Sequence, residues 1–324
     1  MKQRIIYIDL CKVLAIFLVT FAHCSQQISG EQFPNLLLSK DSFISINMAI
    51  FMICSGFVMN VEKIKAASTK GYLLAKAQRL LLPMVGWYLV MCAVLFTAPR
   101  FTICWSIYWY LGSMFICLTL IKLLLNVISN VPVVCFLSIL VLTLMPMISF
   151  ERSCYMIPFL WIGYGLRFFI EKVNKFAVAG LLFSYGVMYY FWDISYSVYV
   201  TPFHIWDADM ETFFAMLFRF IIGVVGGIGF IGLLRFLIDT KGFGWMKVIA
   251  LKLGRYTLAF YTMSFVLNAI LVKALCRVNW FVTTPGWLDF ISLVVTMLMI
   301  LLMYFVQKQL EKNDFTRLIF LGEK

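Results

Sequence analysis

Apolar residues run through this chain in blocks of about twenty, broken by short polar stretches rich in lysine and arginine. A helix needs about 20 apolar residues to cross the hydrocarbon core of a bilayer. The pattern predicts about ten transmembrane helices, near 5–28, 43–60, 81–98, 104–126, 131–149, 155–171, 175–192, 212–237, 256–275 and 288–307. No linker, low-complexity stretch or internal repeat divides them. One all-α polytopic membrane domain is expected over residues 1–324.

Composition agrees with lipid as the solvent. The chain is 63% hydrophobic and 13% charged, with a mean hydropathy of +0.95, far from a soluble domain. Its net charge of +12 would suit nucleic acid, but the distribution of that charge says otherwise. The polar segments on one side carry Lys2, Arg4, Lys63, Lys65, Lys70, Lys76, Arg79, Lys122 and Arg167, and continue through Arg235 and Arg255 to Lys308 and Arg317. The other side keeps Lys40, Arg100, Arg152, Lys273 and Arg277. Such an asymmetry orients membrane proteins, with the basic side cytoplasmic. Both termini are expected in the cytoplasm, and no nucleic-acid partner is expected.

The first apolar segment is long, interrupted by charge and lacks a small-residue cleavage pattern, so it is expected to stay as a helix. The nine cysteines fall mostly inside spans with no CxxC spacing. They suit apolar packing, and no metal site is expected.

Inside that first segment stand Asp9 and Lys12, and His23 closes it. Ionisable groups at membrane depth are expensive and point to function by default. From Lys12 to His23 a helix turns through about 1100°, three turns and a little more, so both share one face about 16 Å apart along the axis. Asp9 and Lys12 are i,i+3 neighbours able to pair, and a purely architectural pair stays open as an alternative. His23 is one of two histidines, which leaves few candidates for base chemistry near neutral pH.

Other segments carry weaker signals. Residues 61–78 are basic and mildly amphipathic, and are expected to lie as a helix along the cytoplasmic surface before Arg79 and Pro83 open the third span. They would serve as a lipid anchor or as a basic wall for an anionic ligand. Ser55–Gly56 in an apolar run allows close helix approach. Trp109 opens an aromatic stretch, Arg219 lies within a span, and loop 193–211 joins aromatics and acids to His204. Soluble hydrolase, nucleotide and zinc motifs are not present.

Several stretches stand in a fixed order: IYIDLCK over Ile6–Lys12, the ten-residue interval between Lys12 and His23, and FMICSGF over Phe51–Phe57. KAQRLLLP over Lys76–Pro83, Trp109–Leu111, and GRYTLAFY over Gly254–Tyr261 complete the set. Together they resemble the acyltransferase-3 family, bacterial membrane proteins that O-acylate surface carbohydrates. The resemblance implies transfer of an acyl group, usually acetyl, from cytosolic acyl-CoA as co-substrate to a hydroxyl of a lipid-linked or surface glycan, in the bacterial inner membrane and with no bound cofactor. It implies His23 as general base, Lys12 and Asp9 as its catalytic companions, and Arg79, Lys76, Ser55 and Trp109 at the donor. Asn47 and Ser264 stand where many relatives carry histidine. A glycan exporter or flippase without acyl transfer is the alternative reading, and a structural partner in a glycan-synthesis complex is a further one.

Overall fold

The computed structural model describes residues 4–29, 45–144, 151–193, 196, 209–272 and 285–323, and all their regular structure is helical. The helices are α1 (Ile6–Ser29), α2 (Asn47–Phe57), α3 (Val61–Ala66), α4 (Thr69–Leu95), α5 (Phe101–Ile107) and α6 (Trp109–Val127). They continue with α7 (Val131–Leu144), α8 (Glu151–Phe169), α9 (Lys175–Tyr190), α10 (Met210–Ile238) and α11 (Gly244–Leu253). Last come α12 (Thr257–Leu267), α13 (Pro285–Leu310) and the single turn α14 (Asp314–Thr316). Each of the ten expected segments contains one of these helices. Among the described residues, six (α1, α4, α6, α8, α10 and α13) are long and apolar enough to cross a membrane, while α2, α7 and α12 are shorter apolar helices.

Helix α1 lies at the centre, packed against α2, α10, α11, α12 and α13. The closest crossing in the fold is between α2 and α8. A Cβ added at Gly56 would lie 1.8 Å from the Leu160 carbonyl oxygen, and one at Gly163 would lie 2.0 Å from that of Ile53. Two glycines thus bring two backbones into contact, where lipid offers no hydrophobic drive and close packing must hold helices together. The Ser55–Gly56 pair is a packing device, and it fixes the register with which α2 presents Phe51 and Ser55.

The basic segment departs from its expected course. It breaks at Ala67–Ser68 into α3 and the first turns of α4, which runs unbroken past Pro83 to Leu95. Local chemistry explains the elbow. Asn60 caps α3 by accepting from Lys63 N at 2.9 Å, and Ser68 caps α4 by accepting from Gly71 N at 3.2 Å. Buried Lys122 of α6 donates to the Lys65 and Ala67 carbonyls at 3.2 and 2.7 Å, satisfying groups that the end of α3 leaves open. Residues 314–323 fold back onto α4, where Trp87 Nε1 donates to the Phe320 carbonyl at 3.1 Å and Gly322, at φ 65°, sits against the Arg79 backbone.

Replacing Gly56 or Gly163 with alanine forces α2 and α8 apart. Either variant is expected to lose about 1–3 kcal/mol of stability, read as a lower midpoint of thermal unfolding in detergent, whereas Gly165→Ala, with open space around it, is expected to leave the midpoint unchanged.

Candidate functional site

The N-terminal end of α1 gathers charge around one carboxylate. Asp9 forms ion pairs with Arg4 and with Lys12, the latter at 3.6 Å. Arg4 also donates to the Leu251 and Ala250 carbonyls at 3.2 and 3.4 Å, at the negative end of α11. Gly254 closes this corner. A Cβ there would sit 2.6 Å from the Asp9 Cβ, so only glycine lets the turn between α11 and α12 rest on the carboxylate. Next to it Arg255 pairs with Glu311 at 3.5 Å, and Lys308 bridges Glu311 and the Tyr256 hydroxyl at 3.1 and 2.9 Å.

The basic residues divide by what they touch. Arg4, Lys122, Arg167 and Arg235 donate to main-chain carbonyls at or beside helix ends, Arg167 reaching Met59 O at 2.7 Å. These four hold the fold. Lys63 and Arg79 make no ion pair among the described residues, and Lys76 lies over the Tyr72 ring at 5.3 Å. Lys76 and Arg79 stand three residues apart on α4, so their like charges repel. The Tyr72 hydroxyl beside them is buried without a hydrogen-bond partner among the described residues. Unpaired cations and an orphaned hydroxyl together form a site for an anion with several acceptor oxygens.

These groups share one cavity of about 670 Å³, within the range of small-molecule sites. Its charged end is lined by Arg4, Asp9, Lys12, Lys63, Lys76, Arg79, Arg255 and, as an acid at the rim, Glu323. Its other end is apolar, formed by Phe51, Met114, Leu118, Tyr110 and Tyr261. Ser55 lines the wall between the ends and hydrogen-bonds the Tyr110 side chain.

Asp9, Lys12, Ser55, Lys76 and Arg79, all singled out from the sequence, therefore meet in this cavity. Two others do not. Trp109 turns away, its ring under the Arg152 guanidinium at 5.0 Å. His23 lies beyond the apolar end, half-buried, with its ring 5.0 Å from Phe265 and Gln26 as a hydrogen-bond partner. Between His23 and the cavity stand Phe265, Tyr261 and Tyr110. Of the two positions where relatives carry histidine, Ser264 bonds back to the Tyr261 carbonyl at 2.8 Å and Asn47 is buried at the start of α2. Tyr72 and Glu323 escaped the sequence reading, which met Tyr110 and Arg255 only inside family stretches and, for Arg255, as an orienting charge. Loop residues Tyr199, Phe203, His204 and Trp206 lie outside the described residues. No cluster of metal-ligating side chains occurs among the described residues.

The family model described as an acyltransferase domain matches residues 5–305, nearly the whole chain. The chain belongs to the acyltransferase-3 family. The family motifs now have places in the fold: the first supplies Asp9 and Lys12, the Phe51–Phe57 stretch supplies Phe51, Ser55 and the glycine contact, and the Gly254–Tyr261 stretch supplies the glycine under Asp9 and the tyrosine of the apolar end. No curated protein and no solved structure matches the chain. Membrane helices and this domain together make it a multi-pass membrane acyltransferase.

The division of the cations makes a direct prediction. Lys76→Gln or Arg79→Gln is expected to weaken binding of inorganic pyrophosphate about tenfold, from loss of one charge-assisted contact, as read by titration calorimetry on the detergent-solubilised protein. Arg167→Gln is expected to lower thermal stability and leave pyrophosphate affinity unchanged.

Proposed function

We propose that this acyltransferase moves a short acyl group, acetyl in size, from acyl-CoA in the basic cavity to a hydroxyl of a lipid-linked or surface carbohydrate, with His23 as general base. The observation that carries this reading is one cavity with two chemistries. At one end Lys63, Lys76 and Arg79 stand unpaired, suited to the phosphates of a coenzyme A. At the other an apolar, aromatic wall of Phe51, Tyr110 and Tyr261 stands on the side toward His23, suited to the thin pantetheine arm and its acyl end. The excess of basic residues around the charged end supports a cytosolic position for it in a bacterial inner membrane, on the side where acyl-CoA is found.

The chemistry follows from these positions. The acceptor hydroxyl attacks the thioester carbonyl while His23 takes its proton. The tetrahedral intermediate then collapses, the C–S bond breaks, and the histidinium returns a proton to the CoA sulfur. General-base assistance of this kind contributes about 10²–10⁴ in rate. Lys12 lies about 16 Å from His23 along α1, too far to touch the same carbonyl. Its part is to hold the donor's anionic end, with Asp9 fixing the ammonium in place. Arg4, paired with the same carboxylate, ties Asp9 to α11.

The test is transfer of labelled acetyl from acetyl-CoA by the purified protein, with the surface polysaccharide of a producing and a deleted strain compared by mass spectrometry. His23→Ala is expected to lose about 10²-fold or more in transfer while still binding pyrophosphate; unimpaired turnover would remove the base assignment. Lys12→Met is expected to abolish activity and Lys12→Arg to retain part of it. A glycan exporter would release no CoA thiol in any of these assays.

A further inference from the structure

The cavity and His23 share helix α1 but not a space. Tyr110 and Tyr261 line the cavity, and their rings meet edge to face at 5.4 Å and 64°. Tyr110 also packs on Phe51 at 5.6 Å, and Tyr261 on Phe265 at 5.2 Å and 81°. Phe265 is braced by Tyr108 at 5.3 Å and lies 5.0 Å from the His23 ring on its far side. Tyr110 is 3% exposed and Tyr261 1%. An unbroken chain of rings thus runs from the cavity's apolar end to the imidazole.

We propose that Tyr110 and Tyr261, backed by Phe265, form a partition between the donor cavity and His23 and determine the specificity of the enzyme, admitting a small acyl group and holding back both longer chains and water. What crosses the partition rests on the acyl-transfer reading; the partition itself rests on the rings alone. Each edge-to-face contact adds a modest stabilisation to the closed arrangement, small enough for one ring to swing and large enough to keep the wall shut at rest. Tyr261 and Phe265 are one turn apart on α12, so they move with the same helix. That helix runs straight into the π-helical turn Asn268–Val272, a break of the kind that accompanies functional shifts. Tyr110 is held from the opposite side by Ser55 of α2. The reacting end passes between a ring on a looser helix and a ring on a firmer one. A two-carbon acyl group needs one ring to turn, and a longer chain needs both.

Truncating either tyrosine opens the wall without touching the cations or His23. The first measurement needs no acyl-CoA. His23→Cys is placed in a chain whose Cys11, Cys24 and Cys54 are alanine, reconstituted in lipid vesicles, and labelled with silver ion, a thiol-reactive probe of about water's size, from the side of the charged end. A parallel chain that keeps His23 gives the background. Labelling is expected to be slow with both tyrosines present, about tenfold faster with Tyr261→Val or Tyr110→Val, which leave room for water-sized passage, and still slow with Tyr261→Phe. Where Tyr261→Val does not elute as a single species, Tyr110→Leu trims the same wall from α6. Equal labelling rates with intact and truncated rings overturn the partition.

The second measurement follows thiol release from acetyl-, butyryl- and hexanoyl-CoA in chains that keep His23 and lack an acceptor. Water then attacks the acyl carbon and CoA thiol and free carboxylic acid leave. Hydrolysis is expected to rise about tenfold in the truncated chains, most for the longer acyl groups, and to stay low in Tyr261→Phe. An identical chain-length profile in all variants overturns the specificity role. A labelling difference with no thiol release in any chain, the unaltered one included, overturns the acyl-CoA reading and leaves the partition standing.

Discussion

Asp9 holds two cations near the N-terminal end of an apolar membrane-length helix, and the arrangement of the cavity follows from that one carboxylate. Without it, Arg4 and Lys12 would face each other as like charges, which repel. With it, Arg4 is free to reach the end of α11, and Lys12 is presented to the cavity. The same carboxylate sets the shape of the distant turn, since Gly254 is the residue that fits against it. A family motif that opens with glycine is therefore a statement about Asp9, written some 245 positions later.

The positive charge of this chain does three separate jobs, and only the structure tells them apart. Cations beside membrane helices contribute to orientation in the bilayer. Arg4, Lys122, Arg167 and Arg235 additionally close helix ends by binding carbonyls, with their charge consumed by the fold. Lys63, Lys76 and Arg79 are left facing a cavity, mutually repulsive and oriented by the elbow that Lys122 braces. An anion bound there relieves repulsion that the empty site must carry, so occupancy and local stability rise together.

Much of this was legible in the residues and part was not. Runs of apolar positions located a helix in each of the ten segments, because a helix in lipid must satisfy its own backbone and so declares itself by length. The Asp9–Lys12 pair was legible because i,i+3 contacts are local. Gathering Ser55, Lys76 and Arg79 beside it needed the family motifs, since nothing local ties α2 and α4 to α1. Helix periodicity put Lys12 and His23 on one face, and that is how they stand. It could not show that Tyr110, Tyr261 and Phe265, from two other helices, fill the space between them. Trp109 was misjudged for the same reason: its aromatic run marks a packed helix start, and its neighbour Tyr110 is the residue that turns inward.

The pairing within α1 also bears on how the protein is made. Chains enter the membrane N-terminus first, so α1 must leave the translocation machinery long before residues 250–255 exist to meet it. At that moment the Ala250 and Leu251 carbonyls and Gly254 are still unmade, and Asp9 has only Arg4 and Lys12 for company. The i,i+3 spacing lets the helix carry its own counter-charge into the bilayer and wait. A ligand-holding charge that needed a partner from the far end of the chain would have to be inserted bare; this one travels already neutralised.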